Sequence, residues 1–132
     1  PSDLKKMVSI SKLNLNSIIS GDRWFYKDSF KKYNYLKLIA NYIAQKVIKL
    51  IYKTTIKDFT FAYRIYPRKI LSKFEISELR QGFALETILK PIKLGYKVIN
   101  FPTKWKARTE GAPTSSIFTY YSFLKVLIKN IF

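Results

Sequence analysis

The sequence contains no cysteine and no histidine. The first absence excludes disulfides and thiolate metal sites. The second excludes zinc sites of the usual type and any catalytic triad that uses His as its base. Acidic residues are scarce. Asp3, Asp22, Asp28, Asp58, Glu75, Glu78, Glu86 and Glu110 are the whole supply of carboxylates for general-base work. No two aspartates are spaced as Asp-x-Asp. No uncharged apolar run reaches the ~18 residues of a membrane-spanning helix. The longest candidates, 39–52 and 117–132, are interrupted by lysines, and PSDLKKMVSI at the start lacks the apolar core of a signal peptide.

What is present is one domain's worth of chain, 132 residues, of which 48% are hydrophobic and 17% aromatic. That is enough apolar material for a core. Lys and Arg number 25 against 8 Asp and Glu, a formal net charge of +17. Such an excess favours anionic partners: nucleic acid, lipid head groups or phosphorylated substrates. A general compositional bias toward Lys, Ile, Asn, Tyr and Phe is the bland alternative.

Periodicity orders the chain as α-β-α-β-α-α-β-loop-α, an α/β layer pattern. Ser2 or Asp3 caps a first helix with Leu4, Met7, Val8 and Ile10 as its apolar stripe. SIIS (17–20) reads as a short buried strand, GDRW (21–24) as its turn, and KDSFKKYNY as a polar, mobile segment. Leu36, Ile39, Ala40, Ile43, Val47, Leu50 and Ile51 repeat at helical spacing, with Lys37, Gln45, Lys46 and Lys49 off that stripe. Residues 58–66 predict a strand or extended loop, and Pro67 opens a short helix through Ile70, Leu71 and Phe74. Gly82 precedes a helix that Pro91 should kink or end early and that Gly95 closes. A strand follows at 96–102. The last helix, 116–131, carries Ile117, Tyr120, Tyr121, Leu124, Leu127, Ile128 and Ile131 on one stripe, with Lys125 and Lys129 beside it.

Five fragments then fall in order: GDRW (21–24), Ala40-Asn41 in the long helix, DFTFAYRIYPRKIL (58–71), GFALETILKPIKLGYKVINFPTKWKAR (82–108) and the trailing Gly111. Together they resemble the C-terminal half of family 2 glycosyltransferases, in the branch like dolichyl-phosphate mannosyltransferase. That branch carries Gly-x-Arg after a strand, then Asp-x-Thr-x-x-aromatic-Arg, a Gly-aromatic-x-x-Glu helix, Gly-Tyr with a strand ending before Pro, and an Arg-x-x-Gly loop. This chain departs from the pattern at three places. Lys37-Leu38-Ile39 stands where an Arg often precedes Ala-Asn, Phe61 replaces a small residue, and Ala112-Pro113-Thr114 replaces Ser-Lys.

The resemblance implies the acceptor side of a GT-A-type fold: an incomplete sheet with flanking helices over 1–132. The wide, aromatic stripe of the amphipathic helix at 116–132, with its two lysines, suits a place in the membrane interface, the alternative being that the stripe packs on the sheet as core. The resemblance also implies transfer of a sugar from a nucleotide sugar to a polyprenyl phosphate, at the cytoplasmic face of a membrane with an anionic surface. PSDL (1–4) resembles the linker that follows the family's Asp-x-Asp half. A divalent Mg or Mn ion, held by that half, is therefore expected in a longer parent and not by these residues. Arg23, Arg64 and Arg108 match family arginines and, with Lys37, are the candidates for the acceptor phosphate; the arginine fork suits phosphate oxygens. Glu86 matches the acceptor-side Glu and is the candidate for positioning or proton handling, with Asp58 as organiser of its loop. A catalytically inactive remnant and a basic lipid- or nucleic-acid-binding module are the competing readings. Against nucleic acid, the aromatics lie in apolar stripes and no helix-turn-helix or finger spacing occurs.

Overall fold

Strand β1 (Ser17–Asp22) is buried at all six positions and organises the molecule. The computed structural model describes residues 2–106 and 117–131. Along them run α1 (Ser2–Leu13), β1, a 3-10 turn (Lys27–Phe30), α2 (Tyr35–Tyr52) and β2 (Arg64–Ile65). Then follow α3 (Arg68–Leu71), α4 (Phe83–Lys93), β3 (Lys97–Pro102) and α5 (Ile117–Ile131). The fold is mixed α/β, a small three-stranded sheet of order β2-β1-β3 with flanking helices. β1 pairs in parallel with β3, from Ser17 opposite Lys97 to Asp22 opposite Pro102, so both strands deliver their C-terminal ends to one edge. β2 pairs antiparallel through Ile19 with Ile65 and Ser20 with Arg64.

Alternation sends neighbouring β1 side chains to opposite faces. Ile18 joins the main core with Ile48 of α2, Ile56, Phe59, Ile70 of α3, Leu85, Ile88 and Leu89 of α4, and Val126 of α5. On the other face α1 packs along β1 and β2, burying Met7 while Leu4 and Val8 stay exposed. Each fully buried side chain of this kind contributes about 1.5–3 kcal/mol.

Local chemistry explains most boundaries. Asn34 caps α2, its Oδ1 accepting from Lys37 N–H at 3.1 Å. α4 ends as a Schellman motif: Tyr96 N–H donates to Pro91 O at 3.0 Å and Gly95 N–H to Ile92 O at 2.9 Å, with Gly95 at φ +84°. Pro91 does not stop α4 early; the helix continues to Lys93, because a proline this near the end removes one amide bond from a turn already closing. The segment at 27–35 is more ordered than its polar sequence predicts, since Ser29 is buried and Phe30 stacks against Trp24 at 4.5 Å. The 58–66 stretch pairs as a strand only at Arg64 and Ile65.

α2 turns inward the face opposite to the one its apolar residues mark, and α5 does so in part, since Leu127 of its stripe still packs against the core. α2 buries Gln45 and Ile48, and its stripe of Leu36, Ile39, Ile43, Val47, Leu50 and Ile51 is exposed. α5 buries Thr119, Val126 and Asn130, while Phe118, Tyr121, Leu124 and Ile128 are exposed. α5 approaches α4 closely at Gly82, where an added Cβ would lie 2.8 Å from Val126 Cγ2. No helix among the described residues is long and apolar enough to cross a membrane.

Candidate functional site

At the edge where β1 and β3 end, the chain folds into a polar knot. Asp22, the last residue of β1, accepts Trp24 N–H at 2.9 Å and so turns the chain. The turn swings Arg23 onto Asp58. Nε donates to Oδ2 at 2.7 Å and Nη2 to Oδ1 at 2.9 Å, a bidentate pair. Nη2 also reaches Thr60 Oγ1 at 3.0 Å. The Asp58 side chain is 0% exposed and that of Arg23 11%.

Aromatic rings wall the guanidinium. Its carbon sits 4.7 Å from the Phe61 centroid, 5.3 Å from Trp105 and 5.7 Å from Phe30. Trp105 follows β3, and Thr103 N–H donates to Asp22 O at 3.0 Å, so the segment leaving β3 is tied across this knot. Lys104 stands at its rim, with Nζ 5.7 Å from the Tyr26 ring.

α2 contributes through Gln45. Its Oε1 accepts Phe59 N–H at 2.9 Å, and its Nε2 lies 3.4 Å from Asp58 Oδ1, 3.3 Å from Thr60 Oγ1 and 3.0 Å from Asn41 Oδ1. Gln45→Leu is therefore expected to destabilise the protein by about 1–3 kcal/mol, because the buried Phe59 amide loses its acceptor. Gln45→Glu, which keeps the acceptor but faces Asp58, should not recover the loss. Urea midpoints of the two variants check this.

Arg64 lies one step away and is saturated by the protein. Nε donates to Ser20 Oγ at 3.1 Å, Nη1 to Ala84 O at 2.6 Å, and Nη2 to Phe59 O at 2.8 Å and Asp58 O at 3.2 Å. It staples the 58–59 loop to β1 and to the first turn of α4. Glu86 sits in that first turn, with its carboxylate turned to a different loop. It accepts Ser77 N–H at 3.0 Å, Ser77 Oγ–H at 2.7 Å, Glu78 N–H at 2.7 Å and Lys90 Nζ at 2.7 Å. Burial alone would raise its pKa, but the bonds from Lys90, Ser77 and the two amides outweigh it and lower the pKa to about 2. Glu86 is thus an anion locked in place at neutral pH. Asp22 is the opposite case: burial raises its pKa, partly offset by the Trp24 amide and Lys57.

The structure therefore gathers Arg23 and Asp58, places Arg64 directly behind them, and sets Glu86 beyond Arg64. Lys37 lies in the first turn of α2, and Arg108 lies outside the described residues. Thr60 belongs to the matched Asp-x-Thr fragment and Asp22 to the short supply of carboxylates, but neither was singled out for the site, and Gln45 and Trp105 were missed. The available signal was the pair Asn41 and Gln45, two amides one turn apart on the side of the helix away from its apolar stripe. Among the described residues no group of three or more His, Cys, Asp or Glu could hold a metal ion. Asp58 is committed to Arg23, and Asp22 to Trp24 N–H, so these carboxylates do not fit a metal site and no step through a metal is derived from them. Comparison with protein-family models, with curated proteins and with solved structures finds no match to this chain.

Proposed function

We propose that this chain is the acceptor-side portion of a GT-A-type glycosyltransferase, passing a sugar from a nucleotide sugar to a polyprenyl phosphate at the cytoplasmic face of a membrane. One observation carries the reading. The Arg of Gly-x-Arg and the Asp and Thr of Asp-x-Thr, matched separately in sequence and 35 residues or more apart, are bonded to one another at the strand ends. Strand C-termini are where α/β folds gather ligand groups. The exposed aromatic and aliphatic side chains of α5 suit a peripheral membrane position.

In this reading an oxygen of the acceptor phosphate attacks the anomeric carbon, and the bond from that carbon to the nucleoside diphosphate breaks. The acceptor is an anion at neutral pH, so no strong general base is required. Arg23, with its fork filled by Asp58 and Thr60, sets the floor of the site. Lys104, Lys106 and Arg108, on the segment that leaves β3, meet the acceptor phosphate. Glu86 holds the 77–78 loop against α4.

The test uses membranes from cells expressing the full coding sequence, a panel of labelled nucleotide sugars, and polyprenyl phosphate or the matching alcohol. Label should enter lipid only with the phosphate. Arg108→Ala should lower this transfer about 10- to 150-fold, the equivalent of about 1.5–3 kcal/mol for one charged hydrogen-bond partner, and Arg108→Lys should recover part of it. Transfer to neither acceptor, or transfer indifferent to Arg108, would overturn the proposal.

A further inference from the structure

Among the described residues nothing covers the outward face of α2. At 100° per residue, Leu36, Ile39, Ile43, Val47, Leu50 and Ile51 form one arc about a third of the helix circumference wide. That arc lies diametrically opposite Gln45, the residue that ties α2 to the polar knot. Leu36 is 77% exposed, Ile43 55% and Leu50 79%. An apolar stripe this long on a surface helix marks an interaction site.

Charge identifies the occupant. α2 contains Lys37, Lys46 and Lys49 and no acidic residue, within a chain of net charge +17. Lys46 borders the arc, its Nζ 5.3 Å from the ring of Tyr42. Tyr35 and Tyr42, both exposed, border the same edge. The surface offered is a convex row of aliphatic side chains rather than a groove. Aliphatic centre, tyrosine edge and lysine flank are the composition of a helix that lies in the plane of a bilayer among anionic head groups.

We infer that α2 docks lengthwise on an anionic lipid bilayer through its Leu36–Ile51 face. This adds a second membrane-facing element to the peripheral placement proposed above. It rests on the exposure of α2 and its lysines alone, and its test does not measure sugar transfer, so the two proposals fail separately.

The experiment compares co-sedimentation of the full-length protein with vesicles of phosphatidylcholine alone and of phosphatidylcholine with a third phosphatidylserine. Anionic vesicles should bind at least about tenfold more tightly, with the preference shrinking as salt rises. The variant Leu36→Ser/Ile43→Ser/Leu50→Ser should lose about tenfold or more of that affinity. Its helical circular dichroism should be unchanged, since these side chains touch water already. These 132 residues contain no cysteine, so Ile43→Cys, with any cysteine elsewhere in the full-length protein replaced by Ser, offers a single labelling position. An environment-sensitive dye there should shift blue and escape an aqueous quencher only with anionic vesicles. A dye that stays quenched on bound vesicles overturns the inference, as does a triple variant that binds like the parent. So does a parent that ignores lipid charge, or one that is a dimer which the triple variant dissolves while vesicle binding persists.

Discussion

Asp58→Ala is expected to destabilise the protein by about 3–5 kcal/mol, because it leaves the Arg23 guanidinium in a largely enclosed site without its counter-ion. The carboxylate has no exposed surface and accepts both prongs of the fork. Removing the carboxylate also strips a hydrogen-bond partner from Gln45 and Thr60. Asp58→Asn should recover little, since its amide directs hydrogens at the guanidinium. Pairing Asp58→Leu with Arg23→Met should cost less than the sum of the single changes, because no charge is then left unpaired. Urea unfolding of the four proteins reads the cycle. A loss under about 1 kcal/mol for Asp58→Ala, the scale of a solvent-screened pair, would show that water enters the knot.

The second large effect concerns Glu86. Glu86→Ala should destabilise by on the order of 3 kcal/mol, since the Ser77 and Glu78 amides and Lys90 all lose a charged acceptor. The pH dependence separates this from simple loss of packing. The carboxyl titrates near 4.5 when unfolded and at about 2 when folded. A lowered carboxyl pKa contributes stability that is present above the unfolded value and lost as pH falls toward the folded one. Stability of the parent should thus decline more steeply than that of Glu86→Gln between about pH 4.5 and pH 2. Asp22, whose pKa is raised, acts in the other sense and is common to both proteins, so it cancels in the difference. Parallel curves would mean that Glu86 is not held as an anion.

Local rules located what local chemistry decides. Gly95 marked the end of α4 because only a residue that tolerates positive φ fits there. The parallel strands showed as short runs rich in Ile and Val bounded by turns. α2 was legible as a helix but not in its orientation. Periodicity reports that apolar residues share a face and is silent on what that face meets. The orientation was decided by a polar contact, Gln45 with the 58–60 loop, that lies 13 to 15 residues away in sequence. The site shows the same division. Arg23, Arg64, Asp58 and Glu86 stood out as scarce or motif-matched residues, yet nothing local told which arginine would meet which carboxylate. Arg64 spends its donors on backbone carbonyls and the Ser20 hydroxyl, and Glu86 closes a loop that only the tertiary fold brings to it.

The way α2 is fastened also sets how it comes loose. A helix seated in oil leaves only when the core opens; α2 enters the apolar cluster with Ile48 and the edge of Tyr52, sets Tyr42 against Trp24 at 5.8 Å, and ties itself to the 58–60 loop with an amide. Its detachment is therefore a subglobal opening, with a free energy below that of the whole fold, whereas β1 lies under both layers and opens only with everything else. Amide hydrogens of residues 39–51 are therefore expected to exchange as a separate unit, faster than those of 18–21. The side chain that orders the 58–60 loop, Gln45, is then also one of the ties that set how often α2 leaves the body of the protein.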